Sequence, residues 1–414
     1  MQQYNMEQKE EYKETELGLL PGSWEFKNFE KCINKEKIKV GKIKKREFKN
    51  FGKYPIVDQG QSLIAGYWDK EDNTYQGDLP VIIFGDHTRI LKFVEFPFVC
   101  GADGTKIIVP NLNVVNPKFF YYSLKSIEIP SRGYNRHYSL LKENKIACPP
   151  MPEQKKIADI LSTIQEAKEK TENVINSLKE FKKTMMKHLF AYGPVSLEEI
   201  EKVKMKDTEI GMVPEEWEST KLGYIFKEVN HKIKNTEIDK KNIPILSMTR
   251  YKGLILQKMK FGKRVASRDI LNYKIIKKGQ LVYGFPMDEG VIYFLKDYDL
   301  GAVSPVYLTW DLVDERIDKD YLDFLLKSPA LIEKYKSLYS TVVHRRRIVN
   351  KSDFKNITIY YPSLSEQKQI VLILLTLEES IEKEKNKRNA LEELFKSMLH
   401  NLMTAKRRVN KLEI

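Results

Sequence analysis

The chain states its plan twice. Thr15-Glu16-Leu17-Gly18-Leu19-Leu20-Pro21 leads to Trp24, and Thr208-Glu209-Ile210-Gly211-Met212-Val213-Pro214 leads to Trp217, an offset of 193 residues. A second pair closes each half: Pro152-Glu153-Gln154-Lys155-Lys156-Ile157 and Ser365-Glu366-Gln367-Lys368-Gln369-Ile370, an offset of 213 residues. A long helical pattern follows each closing, so the order is globular piece, helix, globular piece, helix. A duplicated chain builds a pseudo-two-fold object, and such an object suits a two-part target.

With Ile157 as heptad position a, the a positions Ile157, Ile164, Leu178 and Met185 are apolar, as are the d positions Ile160, Val174 and Phe181. Shifting by 213 gives a positions Ile370, Leu377, Leu391 and Met398 and d positions Ile373 and Leu394. Apolar residues at e (Leu161, Ile175, Leu189) widen the stripe of the first helix. Sustained seven-residue spacing argues for a coiled-coil partner. A helix of about 38 residues is roughly 57 Å long, more than one small domain can cover. The pseudo-two-fold predicts that the two helices pair antiparallel. Gly193-Pro194 supplies a helix stop.

The globular stretches mix signals. Val81–Phe84, Lys106–Val109, Gln280–Tyr283 and Gly290–Phe294 read as strands, while Phe119–Ser126 and Asp320–Lys336 read as helices. The expected fold is α+β: two globular domains separated by two long helices forming an antiparallel coiled coil. The expected boundaries are 1–152 for the first domain, 153–190 for the central helix and 191–207 for a linker. The second domain spans 208–365, the second helix 366–404 and a basic tail 405–414. Residues 1–14 read as a solvated arm.

Composition bounds the function. Lys plus Arg number 71 against 57 Asp plus Glu, a net charge of +14, which points to a polyanionic partner. A Lys/Glu-rich thermophile surface is the alternative. Three cysteines without a C-x-x-C pair fit a reducing cytoplasm. No apolar run approaches the roughly 18 residues of a spanning helix, and the polar N-terminus reads as neither signal nor anchor, so no membrane association is expected. The glycines form no phosphate cradle, the six histidines are scattered singly, and no complete catalytic site or metal site is visible. Asp86-His87 beside Thr88 reads as a loop hydrogen-bonding pair rather than an acid–base pair.

What is present is cationic. Residues 31–53 carry ten Lys or Arg against Glu36 and Glu47, with Lys42, Lys44, Lys45 and Arg46 at the centre, a stripe suited to phosphates. Arg132-Gly133-Tyr134-Asn135-Arg136-His137 mixes guanidinium, amide and ring groups that can read base edges. His344-Arg345-Arg346-Arg347 is its counterpart in the second half. Further DNA-contact candidates are Arg89, Arg250, Lys263, Arg264 and Arg268.

The ordered set of motifs resembles the specificity (S) subunit of type I restriction–modification systems over essentially the whole chain. The carriers are the two T-E-[LI]-G-x-[LV]-P-x-x-W openings, the two closings around Glu153-Gln154-Lys155 and Glu366-Gln367-Lys368, and the helix ends. Phe84-Gly85-Asp86-His87-Thr88-Arg89 and residues 132–142 add to it. The resemblance implies one recognition domain per half of a split double-stranded DNA site. It also implies helices that act as a spacer and dock two modification (methyltransferase) subunits, with restriction/translocase subunits as further partners. No cofactor is expected in this chain: S-adenosylmethionine, ATP and Mg2+ would belong to the partner subunits. The first helix lacks the basic tail that follows the second. A stand-alone nuclease and a coiled-coil scaffold are the competing readings; Mg2+-dependent cutting by the chain alone would favour the former, salt-insensitive protein binding the latter.

Overall fold

The computed structural model of the chain describes residues 11–16, 18–35, 40–102, 104–131, 133, 135–237, 243–250, 252–262, 270–338 and 347–409. Two compact units result: residues 1–173 with 384–414, and residues 174–383. Each long helix contributes one end to each unit.

The repeated opening is a β-hairpin. Tyr12–Thr15 pairs antiparallel with Gly18–Pro21, and Met205–Thr208 with Gly211–Pro214. Gly18 (φ 96°) and Gly211 (φ 107°) occupy backbone space that L side chains rarely enter. The Thr15 and Thr208 hydroxyls donate to the carbonyls of Gly18 and Gly211 at 2.6 and 2.5 Å. The ammonium groups of Lys13 and Lys206 each donate to the carbonyl of the motif tryptophan, Trp24 and Trp217. Tyr12–Glu14 are exposed, as expected of a solvated arm, and they are also paired as a hairpin strand, because alternating backbone pairing needs no apolar content to form.

In unit 1, Thr105–Ile108, Val81–Gly85 and Leu91–Val94 make an antiparallel three-stranded sheet with the middle strand wholly buried. A mixed four-stranded sheet orders Lys42–Ile43, Val99–Gly101, Tyr54–Val57 and Gly66–Trp68. In unit 2, Phe226–Glu228, Leu308–Leu312, Leu281–Tyr283 and Ile292–Phe294 form an antiparallel sheet. Its core stacks Tyr283 on Trp310, with Phe354 tilted against both. The single helix expected over Asp320–Lys336 is two, Lys319–Leu325 and Pro329–Ser337. Pro329 cannot continue a helix and forces Ser328 into extended backbone, where its hydroxyl caps the second helix.

The long helices run Met151–Tyr192 (42 residues) and Leu364–Met403 (40 residues), and Gly193 at φ 83° ends the first. Within unit 1, Lys168 pairs with Glu392 at 2.9 Å and Glu172 with Arg388 at 3.0 Å. Four residues forward on one helix is four back on the other, so the strands of this coil run antiparallel. Within unit 2 the end of the first helix (Met185, Leu189, Phe190) meets the start of the second (Ile370, Leu374).

The seam differs from expectation by one position. It uses a and e: Ile157, Leu161, Ile175 and Leu189 are buried on one helix, and Ile370, Leu374, Ile381, Phe395, Met398 and Leu402 on the other. The d residues Val174, Phe181 and Leu394 are 45%, 52% and 46% exposed. Ile160, Ile164, Leu178, Met185, Ile373, Leu377 and Leu391 are half-buried at its flanks. The phase was ambiguous because Ile160 and Leu161 are both apolar: the first turns pack on a domain and on a helix at once.

Candidate nucleic-acid interface

The repeated Glu-Gln-Lys closing fixes each domain to its helix. Gln154 is buried; its Oε1 accepts from the Asn116 backbone N–H at 2.8 Å, and its Nε2 donates to the carbonyls of Pro149 (2.9 Å) and Val114 (3.3 Å). Gln367 repeats this with the Asp318 N–H (2.7 Å), Pro362 (2.9 Å) and Arg316 (3.0 Å). Asn116 and Asp318 in turn cap Pro117–Ser126 and Lys319–Leu325 through their side chains. One amide per unit therefore ties a domain helix cap to the first turn of a long helix. Sequence reading treated this glutamine as a marker only; its recurrence in both closings was the available signal.

The units diverge beside these anchors. The Glu153 carboxylate accepts from Arg408 (2.8 and 3.0 Å) and from Trp24 Nε1 (3.1 Å). Burial pushes the Glu153 carboxyl up, and it pushes the Arg408 guanidinium down. Residues 405–409 after the second helix thus pack within unit 1, where Ala405 and Val409 join the core.

In unit 1 the loops that end the strands converge. Asp86 follows the buried strand Val81–Gly85. Its Oδ1 accepts the backbone N–H groups of His137 (2.9 Å) and Tyr138 (2.8 Å), and Lys106 lies 3.6 Å from Oδ2. Burial would raise the Asp86 carboxyl, but those N–H groups and Lys106 outweigh it and hold it below the usual range. The backbone N–H of Asp86 donates to Gly104 at 2.7 Å. Gln59 joins the group: its Oε1 accepts from the His87 N–H, and its carbonyl accepts from Thr88 Oγ1. The Ala102 N–H donates to the Ile43 carbonyl at 2.6 Å. A continuous set of backbone contacts thus joins the basic segment 42–46 to the segment 135–137.

Along this rim Lys42, Lys44, Lys45, Arg46, Asn135 and Arg136 are exposed. Among the described residues, Lys35, Lys49 and Lys53 have carboxylate partners, whereas Lys42, Lys44, Lys45 and Arg46 take part in no ion pair. These four charges are not neutralised internally, as phosphate contacts require. Arg89, at φ 61°, donates from Nη1 to the Ile129 carbonyl at 2.8 Å and so also staples a loop. His137 is a correction. It is fully buried, with Nδ1 2.9 Å from the Asp86 carbonyl, and supports the rim from below instead of reading bases. Arg132 and Tyr134 lie outside the described residues.

Unit 2 uses the same place with different chemistry. The turn after Leu281–Tyr283 carries Met287–Glu289, and the Met287 N–H donates to the Arg347 carbonyl at 2.8 Å. Arg347 donates from Nη1 to Asp288 Oδ2 (2.7 Å) and from Nη2 to Glu289 Oε1 (2.6 Å). Arg250 Nη1 lies 3.3 Å from Glu289 Oε2. The Arg347 guanidinium is raised further above its usual pKa, first by the hydrogen bond to Glu289. In both units, then, a residue just before the short helix (His137 before Tyr138–Lys142, Arg347 before Lys351–Asn356) meets the turn after a central strand. Lys263, Arg264, Arg268, Arg345 and Arg346 lie outside the described residues. The carboxylates Asp288 and Glu289 were not singled out from sequence, since isolated acidic residues beside glycine carry no pattern.

Two mixed α/β domains on a pair of long antiparallel helices, each with an exposed arginine (Arg136 or Arg347) beside the turn after a central strand, define a duplicated DNA-recognition architecture. The chain belongs to the type I restriction modification DNA specificity domain family, which it matches twice, over residues 21–180 and 214–393. A Methanocaldococcus jannaschii protein provisionally named the type I restriction enzyme MjaX specificity subunit is 25% identical over 97% of both chains. The MjaVIII specificity subunit of the same organism is 28% identical over 72% of each. Among solved structures, the S subunit of a type I restriction-modification system from M. genitalium superposes with a TM-score of 0.58 at 16% identity, covering 92% of this chain and 96% of that one. That likeness bears on fold. No helix among the described residues is long and apolar enough to cross a membrane.

Proposed function

We propose that this chain reads a split double-stranded DNA site, one recognition domain per half-site, within a type I restriction–modification complex. The observation that carries the reading is the recurrence of an exposed arginine, Arg136 in one unit and Arg347 in the other, on a stretch seated at the turn after a central strand. In this reading the chain contributes no catalysis. Two modification subunits dock on the helices and supply S-adenosylmethionine-dependent adenine methylation, and restriction/translocase subunits supply ATP- and Mg2+-dependent translocation and cutting. Such a complex works in the cytoplasm, where its DNA is.

The test is to express the chain with its modification subunits in a host lacking other DNA methylation and to sequence the genome with methylation-sensitive long reads. A two-part motif with a fixed gap and adenine methylation in each part is expected. Methylation without a two-part motif, or DNA cleavage by this chain alone, would overturn the reading.

A further inference from the structure

The two rims solve one problem differently. A base-reading arginine is useful only when its fork is held in place, because an unrestrained side chain loses rotamer freedom on binding. In unit 1 the acidic residue of the turn, Asp86, grips the backbone that carries Asn135 and Arg136. In unit 2 the acidic residues grip the guanidinium groups themselves. Arg347 spends one N–H on Asp288 and one on Glu289, and Glu289 reaches Arg250 with its other oxygen. An arginine has five N–H donors, so three of Arg347 remain for a further acceptor. Its side chain is 43% exposed, while that of Asp288 is only 7% exposed. The Asp288 carboxylate lies inside, Glu289 is half-buried beside it, and the guanidinium lies further out. Gly290, at φ 76°, closes this turn, and the buried Met287 roots it in the core.

We propose that Asp288 and Glu289 are positioning residues for sequence recognition: they aim Arg347 and Arg250 at one half of the DNA site. The inference rests on the half-site reading above. Its signature is a sign. Carboxylates near DNA repel phosphates, so removing them should tighten binding by electrostatics alone. A positioning role gives the opposite result on cognate DNA.

The experiment uses the full chain assembled with its modification subunits and compares wild type with the D288N/E289Q double variant. Cognate affinity should fall about tenfold, in the range for one well-formed arginine–base contact. Affinity for unrelated DNA should stay level or rise, and the melting temperature should hold. R347K keeps the charge but loses the fork, and should lose the same discrimination. Tighter binding to cognate and unrelated DNA alike would overturn the inference, as would unchanged affinity or an equal loss on both DNAs accompanied by a lower melting temperature. A wild-type complex without any sequence preference would overturn the half-site reading and this inference together. A sequence-selective wild type with an R250A/R347A variant that binds normally would overturn the inference alone.

Discussion

The first unit holds its recognition segment by the backbone, and the second holds its arginines by the side chain. Asp86 accepts two main-chain N–H groups and is buried, so it sets where residues 135–137 lie through their backbone. Asp288 and Glu289 instead bind the tips of the arginines. The lesson is that a duplicated scaffold keeps its anchors and varies its rims. Gln154 and Gln367 make matching hydrogen bonds, whereas the acidic residues at the two turns do unlike work.

The largest expected effect tests the shared anchor. Gln154→Leu or Gln367→Leu strands a buried N–H and two carbonyls, and should cost about 3–5 kcal/mol from the penalties of unsatisfied buried groups. Each loss should appear in hydrogen exchange of its own unit. If either change left both units at wild-type protection, the anchors would not be equivalent.

Next is the unit 1 turn. Asp86→Ala orphans the His137 and Tyr138 N–H groups and should destabilise unit 1 by about 2–3 kcal/mol. The wild-type carboxyl sits lower folded than unfolded, so its contribution is complete above the unfolded pKa of about 3.9 and is lost as pH falls through the folded value. The gap in stability between variant and wild type should therefore close in acid. A gap independent of pH would assign the effect to packing.

A smaller effect concerns affinity. Changing Lys42, Lys44, Lys45 and Arg46 together to Ala should weaken binding to matched and unmatched DNA alike, and flatten the slope of log affinity against log salt by up to about 3–4. An unaltered slope would remove this segment from the interface.

The smallest single effect lies in the helices, at Phe181. Ile175→Ala should cost about 2–4 kcal/mol in the seam, whereas Phe181→Ala, half-exposed, should change the stability of the isolated chain by less than about 0.5 kcal/mol. Equal costs would return Phe181 to the seam.

Much of this molecule was legible in its sequence. The repeat announced two units, the apolar spacing announced paired helices, and Gly193 announced where the first stops. The phase of the coil was not legible at the helix starts, because Ile160 and Leu161 satisfy both choices; buried Ile175 and Phe395 beside exposed Val174 and Leu394 separate them. The basic segment 42–46 was legible because it is contiguous. His137 was misread because its neighbours are exposed and cationic, while its burial depends on Asp86, 51 residues away. Asp288 and Glu289 escaped for the same reason: their partner Arg347 is 59 and 58 residues on, respectively.

The central claim is that the two rims read different halves of one site. Binding selection on a randomised two-part DNA library, run in parallel on the assembled wild type, Arg136→Ala and Arg347→Ala, tests it most directly. The account predicts that Arg136→Ala relaxes preference in one half only and Arg347→Ala in the other half only. Relaxation of the same half by both substitutions would contradict it.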